Sequence, residues 1–170
     1  MFKVKVFCSV IAVAAFFAVV PAAHAKVFSI PAEDTLATIS IPDAWEPNET
    51  DNGIEMNSPD RGIYVDAEAV KADNITDAVA GTVKLLASQG LVIDESSKKI
   101  SDSEMNGLKI HDLEYTGKDN DGPTNFSISL IETSVPDKFV MLTFWGSDEA
   151  VKTNGKVLGD IAHSVQLTKR

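Results

Sequence analysis

One short stretch near the C-terminal end constrains the fold more than any other part of the sequence. It runs from Lys138 to Trp145 and reads Lys-Phe-Val-Met-Leu-Thr-Phe-Trp. Side chains alternate between the two faces of a β-strand, so an extended conformation places apolar groups on both faces. A strand that is apolar on both faces is typical of the centre of a covered sheet. We therefore expect this strand to be central, with layers above and below it.

The first 25 residues have the pattern of a bacterial export signal. Lys3 and Lys5 give a positive start, an apolar run of 15 residues follows, and Ala23-His24-Ala25 has the small residues of a cleavage site. An uncleaved membrane anchor is the alternative, but a spanning helix needs about 20 apolar residues. We expect cleavage after Ala25 and a periplasmic or secreted protein without a stable membrane anchor.

The mature chain, residues 26–170, is acidic and has no cysteine. The whole sequence has 15 Lys and Arg and 25 Asp and Glu, and removing the signal leaves 13 against 25, a formal charge of −12. Nucleic acid and anionic membranes bind clustered Lys and Arg, so neither is an expected partner. The only cysteine, Cys8, lies in the signal, so the mature chain has no disulfide and depends on its core. Its 145 residues fit one domain.

Alternation, helical spacing and turn residues divide the mature chain into strands and two helices. The first helix follows the capping pair Asp73-Asn74 and has apolar residues three and four apart up to Gly90. Ser147 caps the second helix, in which Asn154-Gly155 is a weak point because glycine costs about 1 kcal/mol inside a helix. The other expected strands are Leu36–Ile41, Ile54–Met56, Arg61–Val70, Lys98–Ser103 at an edge, Leu108–Tyr115 and Asn125–Glu132.

Short connections between these strands determine the expected fold class. Asn106-Gly107 is a hairpin turn pair, and the loop 117–123 separates two further strands. Connections this short join antiparallel strands rather than parallel ones. The sequence therefore predicts an α+β fold, with a predominantly antiparallel sheet and helices packed on both faces.

The order of these elements resembles the PsbP-like superfamily. The resemblance also rests on Ile41-Pro42-Asp43-Ala44-Trp45, on the Asn106-Gly107 turn and on the closing Ile161-Ala162-His163-Ser164-Val165. This superfamily includes the extrinsic photosystem II subunit, a yeast nuclear import factor that binds the Ran GTPase, and DcrB-like exported bacterial proteins, which are nearest in type. The resemblance covers nearly all of the mature chain. It implies a three-layer α/β/α sandwich with a binding or accessory role, and it supplies no catalytic residues.

A cluster near the start of the mature chain is the predicted binding site. Trp45 lies in a loop beside Glu46, and Glu49 and Asp51 follow closely. If the Trp45 side chain is buried, it belongs to the core and contributes about 2 to 3 kcal/mol. If it is exposed beside the acidic side chains, it is an anchor for a ligand or partner. Trp145 continues the apolar pattern of the central strand, and we expect it in the core.

Two pairs of carboxylates are the candidates for acid–base chemistry. Asp66 and Glu68 share the polar face of one expected strand, and Asp112 and Glu114 share a face of another. Paired carboxylates catalyse glycoside hydrolysis, although a solvated strand face explains these residues as well. A hydrolase requires at least two of them to converge in a concave pocket with raised pKa values.

Neither the histidines nor the acidic loop predicts a metal site, and the sequence predicts no cofactor. His111 projects from the face opposite Asp112 and is expected to be half-buried. His163 lies at the end of the last helix, where a cation is favoured. The segment Asp119-Asn120-Asp121-Gly122 lacks the anchor positions of an EF-hand and predicts a turn.

The sequence contains no nucleophile elbow, zinc-protease helix, phosphate-binding loop or dinucleotide fingerprint. It therefore predicts a non-catalytic periplasmic protein of the cell envelope. Its expected partner is another envelope protein or a small ligand, bound at the surface around Trp45 and Asp51. Two alternatives stay open: a carboxylate-dependent hydrolase, and a structural protein in envelope stress tolerance.

Overall fold

The computed structural model describes residues 24–168. The export signal predicted for residues 1–25 therefore lies outside the described residues, except for its last two. The described chain forms strands and two α-helices. The strands are β1 (Ala25–Ile30), β2 (Ala37–Pro42), β3 (Asn48–Glu49), β4 (Gly53–Asn57), β5 (Ile63–Lys71), β6 (Val92–Ile93), β7 (Lys99–Met105), β8 (Leu108–Asp119), β9 (Gly122–Glu132), β10 (Lys138–Gly146) and β11 (Gln166–Leu167); the helices are α1 (Ile75–Ser88) and α2 (Asp148–His163).

The strands form one large and one small sheet. The large sheet has the order β3-β4-β5-β10-β9-β8-β6, and β7 also pairs with β8. The small sheet has the order β1-β2-β11. Every strand pair among residues 24–168 is antiparallel. The prediction of an α+β fold with a mainly antiparallel sheet is confirmed.

Strand β10 is the centre of the large sheet. It pairs with β5 on one side and with β9 on the other, so Val140 lies opposite both Ala69 and Ile131. Val140 and its neighbour Met141 point to opposite faces of the strand, and both are fully buried. Val140 belongs to a buried cluster with Ile161 of α2, whereas Met141 belongs to another with residues of α1. The predicted central position of this stretch is confirmed.

The two helices begin in different ways. The Ser147 hydroxyl accepts a hydrogen bond from the backbone N–H of Ala150 at 3.1 Å, which is the predicted cap of α2. Asn74 precedes α1 but has a helical backbone, and its side chain makes no capping hydrogen bond. Helix α2 continues through Asn154-Gly155 without a break. Neither α1 nor α2, the helices of the described region, has the length and hydrophobicity of a transmembrane segment.

The small sheet is a feature that the sequence did not predict. It joins the two ends of the described chain, because β11 pairs with Ala37 and Thr38 of β2. The Ser164 hydroxyl, just after α2, strengthens this closure by accepting the N–H of Ser40 at 2.8 Å. The contact fixes the end of α2 beside the buried residues of β2.

The hairpin between β8 and β9 is tighter than predicted. The expected loop 117–123 is mostly strand, since β8 extends to Asp119 and β9 begins at Gly122. One Asp119 carboxylate oxygen accepts the N–H groups of Asp121 at 2.9 Å and Gly122 at 3.2 Å. Gly122 has a φ of +125°, which glycine adopts readily. The connection is therefore a turn of two residues, whereas the sequence predicted a loop of seven.

Strand β7 lies at an edge of the large sheet, as predicted. It pairs with β8 on one side, and its first six residues are exposed. Ile100 is 72% exposed, and the charged residues Lys99, Asp102 and Glu104 lie near it on the same strand. The outer hydrogen-bonding groups of this strand have no strand partner among the described residues.

Candidate functional site

Alternate residues of β5 have different surroundings. Val65 and Ala67 are buried in the core, whereas Tyr64, Asp66 and Glu68 line a cavity of about 760 Å³. Strands β4 and β5, the segment 50–52 and helix α1 form its walls. We call this cavity the acidic cleft, because its described lining includes five carboxylates and no Lys, Arg or His: Asp51, Glu55, Asp66, Glu68 and Asp77.

The close approach of β4 to β5 brings these carboxylates together. Glu55 lies directly opposite Asp66, and Gly53 lies opposite Glu68. A Cβ atom at Gly53 would lie only 1.9 Å from the carbonyl oxygen of Ala67, so the position requires glycine. Residues directly opposite each other in antiparallel strands have Cβ atoms about 5 Å apart. The backbone geometry therefore holds the side chains of Glu55 and Asp66 close to each other.

Hydrogen bonds orient Glu55 at the rim of the cleft. One carboxylate oxygen accepts the Tyr64 hydroxyl at 3.2 Å, and the other accepts the side-chain amide of Asn48 at 2.8 Å. Burial, together with the nearby charges of Asp66 and Glu55, raises the pKa of Tyr64. The phenol therefore stays protonated at neutral pH and acts as a donor to Glu55.

Asp66 is the most perturbed carboxyl group of the cleft. It is half-buried, and burial followed by the charges of Glu68 and Glu55 raises its pKa to about 7. Burial also raises the pKa of Glu68. Neither carboxylate has a hydrogen-bond donor or cation as partner among the described residues. The cleft is consequently a region of uncompensated negative charge near neutral pH.

The structure separates the four residues predicted as a binding site. Trp45 is only 2% exposed and packs in the core, so its indole is not available as a surface anchor. Glu46 forms an exposed ion pair with Arg61 at 2.8 Å, and Glu49 is exposed on β3. Asp51 is the member of the set that lines the acidic cleft. The binding role of these residues stays a prediction.

The two carboxylate pairs considered for catalysis do not converge on one site. Asp66 and Glu68 line the acidic cleft and have raised pKa values, as a hydrolase would require. Asp112 instead accepts hydrogen bonds from the hydroxyl groups of Ser103 at 2.6 Å and Ser129 at 2.5 Å, away from the cleft. Glu114 lines a different cavity. Asp66 is half-buried rather than fully solvated, because α1 and β4 partly cover it.

The histidines have structural contacts. His111 is exposed rather than half-buried, and it contacts Asp102 through Nδ1 at 2.7 Å and Glu132 through Nε2 at 3.2 Å. These two hydrogen bonds raise the pKa of His111. His163 donates from Nδ1 to the carbonyl oxygen of Gly159 at 2.7 Å and so completes the last turn of α2.

Trp145 is half-buried in the cluster beside α1, and its Nε1–H donates to Asp119 at 3.1 Å. Asp119 therefore anchors both the β8–β9 turn and this indole. Within residues 24–168, no group of three or more His, Cys, Asp or Glu side chains is arranged to hold a metal ion.

Sequence reasoning missed three residues of the cleft: Glu55, Tyr64 and Asp77. Glu55 lies between Ile54 and Met56, and this alternation is the signal that could have placed it beside Asp66. Tyr64 belongs to the same alternating face as Asp66 and Glu68. No comparable signal indicates Asp77, because its position depends on how α1 lies across the sheet.

Comparisons with known proteins bear on the fold. No protein-family model matches the sequence, and no curated protein matches it. The structure is similar to cyanobacterial PsbP (CyanoP) from Synechocystis sp. PCC 6803, with a TM-score of 0.57, 13% identity, and coverage of 88% of this chain and 95% of that chain. It is also similar to LpqN of Mycobacterium tuberculosis, a protein involved in cell envelope biogenesis, with a TM-score of 0.51, 14% identity, and coverage of 86% and 92%.

With an antiparallel sheet, two helices and a cavity beside each helix, the described chain is an α+β protein. The similarity to cyanobacterial PsbP and to LpqN then makes the fold more specific. The chain has the PsbP-like fold, as its sequence resemblance implied. At these levels of identity the similarity concerns the fold alone.

Proposed function

We propose that the protein is an exported, non-catalytic binding protein of the cell envelope that holds a positively charged group of its partner in the acidic cleft. The observation that carries this proposal is the lining of the cleft, where the described residues supply five carboxylates and no cationic side chain around a volume of about 760 Å³. A cavity of this size accommodates a small ligand or a side chain of another protein. A basic segment of an envelope protein and a small amine both carry the positive charge that the cleft would bind.

The proposed location rests on the sequence and on the fold. The export pattern of residues 1–25, followed by one domain at residues 26–170, supports a periplasmic or secreted protein. The PsbP-like fold occurs in LpqN, which is described as involved in cell envelope biogenesis. We infer that the chain is an exported bacterial protein of the DcrB-like type, as its sequence pattern implies. An accessory role in the envelope agrees with both observations.

We also infer that α1 and α2 cover opposite faces of the large sheet. Tyr64 and Asp66 of β5 line the cleft beside α1, whereas Val65 lines a second cavity beside α2. Adjacent residues of a strand project to opposite faces. The two cavities are thus separated by the sheet, and a ligand in one does not touch a ligand in the other.

The charge of Asp66 links binding to pH. Burial and the neighbouring carboxylates Glu68 and Glu55 raise its pKa to about 7, which means that its surroundings disfavour its negative charge. A bound cation would stabilise that charge and lower the pKa. Binding therefore releases a proton near neutral pH, and affinity increases as the pH rises through about 7.

Titration calorimetry with spermidine tests this proposal. We expect saturable binding that weakens with added salt and strengthens as the pH rises through about 7. The double variant Asp66→Asn, Glu68→Gln should bind at least about tenfold more weakly. Asp112→Asn removes a carboxylate outside the cleft and is the matched control. Spermidine binding that is absent, or equal in the double variant and the wild type, would refute the proposal.

A carboxylate-dependent hydrolase is the second candidate. A carboxyl group with a pKa near 7 is protonated often enough to act as a general acid, and Glu55 lies directly across from Asp66. This candidate predicts turnover of some members of a panel of nitrophenyl glycosides, with a rate that falls above about pH 7. Asp66→Asn should abolish that turnover. No turnover by the wild type across the panel would eliminate this candidate.

A further inference from the structure

A second cavity lies beside α2 and has a different lining. It has a volume of about 420 Å³, and we call it the α2 pocket. Leu142 and Phe144 of β10 form its apolar floor, and Val151, Leu158 and Ile161 of α2 form the facing wall. Pockets of this size that are mostly apolar, with a few polar groups, are typical of small-molecule sites.

Polar side chains of β9 line one side of the α2 pocket. Asn125, Ser127 and Ser129 occupy alternate positions of the strand and so share one face. Asn125 donates its side-chain amide to Asp148 at 2.7 Å, and Ser129 donates to a carboxylate outside the pocket. The Ser127 hydroxyl makes no hydrogen bond among the described residues. The pocket therefore combines a hydrocarbon wall with hydrogen-bonding groups, and the Ser127 hydroxyl is free to bind a ligand.

The polar side continues into an adjoining cavity of about 230 Å³. The two cavities share Asn125, Ser127 and Phe144. Glu114 and Lys99 lie on the far side of the adjoining cavity, and Asp148 lies in the α2 pocket itself. A ligand that is apolar at one end and polar at the other can occupy both cavities at once.

We propose that the α2 pocket binds a single hydrocarbon chain whose uncharged, hydroxyl-bearing headgroup lies in the adjoining cavity. The chain packs against Leu142, Phe144 and Leu158, where burial removes its apolar surface from water. The headgroup hydrogen-bonds to Ser127 and to the polar groups of the adjoining cavity. An anionic headgroup is disfavoured, because the carboxylates of Asp148 and Glu114 outnumber the one cation among the described lining residues, Lys99. This site is independent of the acidic cleft and of the function proposed for that cleft.

The direct test compares ligands that share a chain but differ in headgroup. Dodecanoyl glycerol, dodecanoate and dodecylamine are titrated into the protein below their micelle concentrations. We expect the ester to bind and the anion to bind at least about tenfold more weakly. Replacing the dodecanoyl chain by a decanoyl chain should weaken binding about tenfold, because each buried methylene contributes a roughly constant increment.

Two variants connect binding to this pocket. Ser127→Phe fills the space between the chain and the headgroup, and it should weaken ester binding at least about tenfold. Ser88→Phe, the same change at an exposed position of α1, is its control and should leave binding unchanged. Asp148→Asn should strengthen dodecanoate binding about two- to fivefold without changing ester binding. This last variant tests the pocket even if Ser127→Phe does not fold.

Four results would overturn the proposal. They are no binding of dodecanoyl glycerol, equal or tighter binding of dodecanoate, tighter binding of dodecylamine than of the ester, and unchanged ester binding in a folded Ser127→Phe protein. The first result would show that the pocket is not a lipid site. The second and third would show that its headgroup is charged, and the fourth would place the ligand elsewhere.

Discussion

The acidic cleft and the α2 pocket differ in chemistry although one strand contributes to both. Strand β5 supplies Val65 to the α2 pocket and Tyr64, Asp66 and Glu68 to the cleft. Among the described residues, the cleft is lined by carboxylates without cations, whereas the pocket is lined mostly by hydrocarbon with a few polar groups. The comparison shows that alternation along one strand, β5, is enough to place side chains of different chemistry in two cavities.

The two regions also differ in what they contribute to stability. The buried cluster beside α2 is dominated by fully buried side chains, including Ile39, Ile131 and Trp45. The cleft instead holds carboxyl groups whose raised pKa values show that their charged forms are disfavoured by folding. Side chains beside α2 therefore stabilise the fold by burial, whereas ionisation of Asp66 and Glu68 in the cleft destabilises it.

The largest effect is expected when a charge is placed on the buried side of β5 and, in a second variant, removed from the cleft side. Ala67 is completely buried, so Ala67→Asp should cost at least about 4 kcal/mol, because it buries an unpaired charge. Glu68→Ala, on the cleft side, should leave stability unchanged or raise it slightly. Urea unfolding of both proteins measures the difference. Similar losses in the two variants would contradict the division of β5 into two environments.

Trp45 tests the role of the core beside α2. Trp45→Ala should lower the free energy of unfolding by about 3 to 5 kcal/mol, since the side chain is almost fully buried. Glu49→Ala, at an exposed position nearby, should change it by less than about 0.5 kcal/mol. A loss below about 1 kcal/mol for Trp45→Ala in urea unfolding would show that this indole is not part of the core.

Asp66 gives the cleft a measurable pH dependence. Because folding raises the pKa of this group from 3.8 to about 7, the native state binds the proton more tightly than the unfolded chain. Stability therefore falls as the pH rises across that interval, by about 4 kcal/mol for a shift of roughly three pKa units, and levels off above it. Asp66→Asn should lose most of this dependence in urea titrations at several pH values. Glu104→Gln on β7 should keep it, and an unchanged Asp66→Asn profile would contradict the assignment.

Substitutions at the residues that precede the two helices should have the smallest effect on stability. Ser147→Ala should cost about 1 kcal/mol, because it removes the hydroxyl that caps α2. Asn74→Ala should cost less than about 0.5 kcal/mol, since the Asn74 side chain makes no capping hydrogen bond. Thermal unfolding of the two variants compares the starts of the two helices. Equal shifts in Tm would show that the difference in capping has no energetic consequence.

Much of the sheet could be predicted because its signals are local. The apolar alternation of Lys138–Trp145 identified β10, and Asn106-Gly107 marked the turn before β8. The small sheet could not be predicted, because β11 pairs with β2 across more than 100 residues of chain and each contributes only a few residues. The turn at Asp119 was predicted as a longer loop because side-chain hydrogen bonds to the backbone leave no periodic pattern.

The candidate site was less predictable than the sheet. Asp66 and Glu68 were found by their alternation, but their burial depends on the path of α1 across β5. Asp51 was placed in a binding surface with Trp45, yet the first lines the cleft and the second is in the core. Local spacing shows which residues share a face, but it does not show which element covers that face. To know which element covers a face, one must know how the helices pack against the sheet.

The exposed edge strand β7 has a consequence for the behaviour of the protein at high concentration. Its outer backbone groups, which have no strand partner in the described part of the chain, form with the exposed Ile100 a template on which identical molecules can stack into filaments. Lys99, Asp102 and Glu104 oppose such growth by placing charge along the rim. Neutralising these three side chains should convert a dispersed protein into one that forms fibrils, visible as a rise in thioflavin fluorescence.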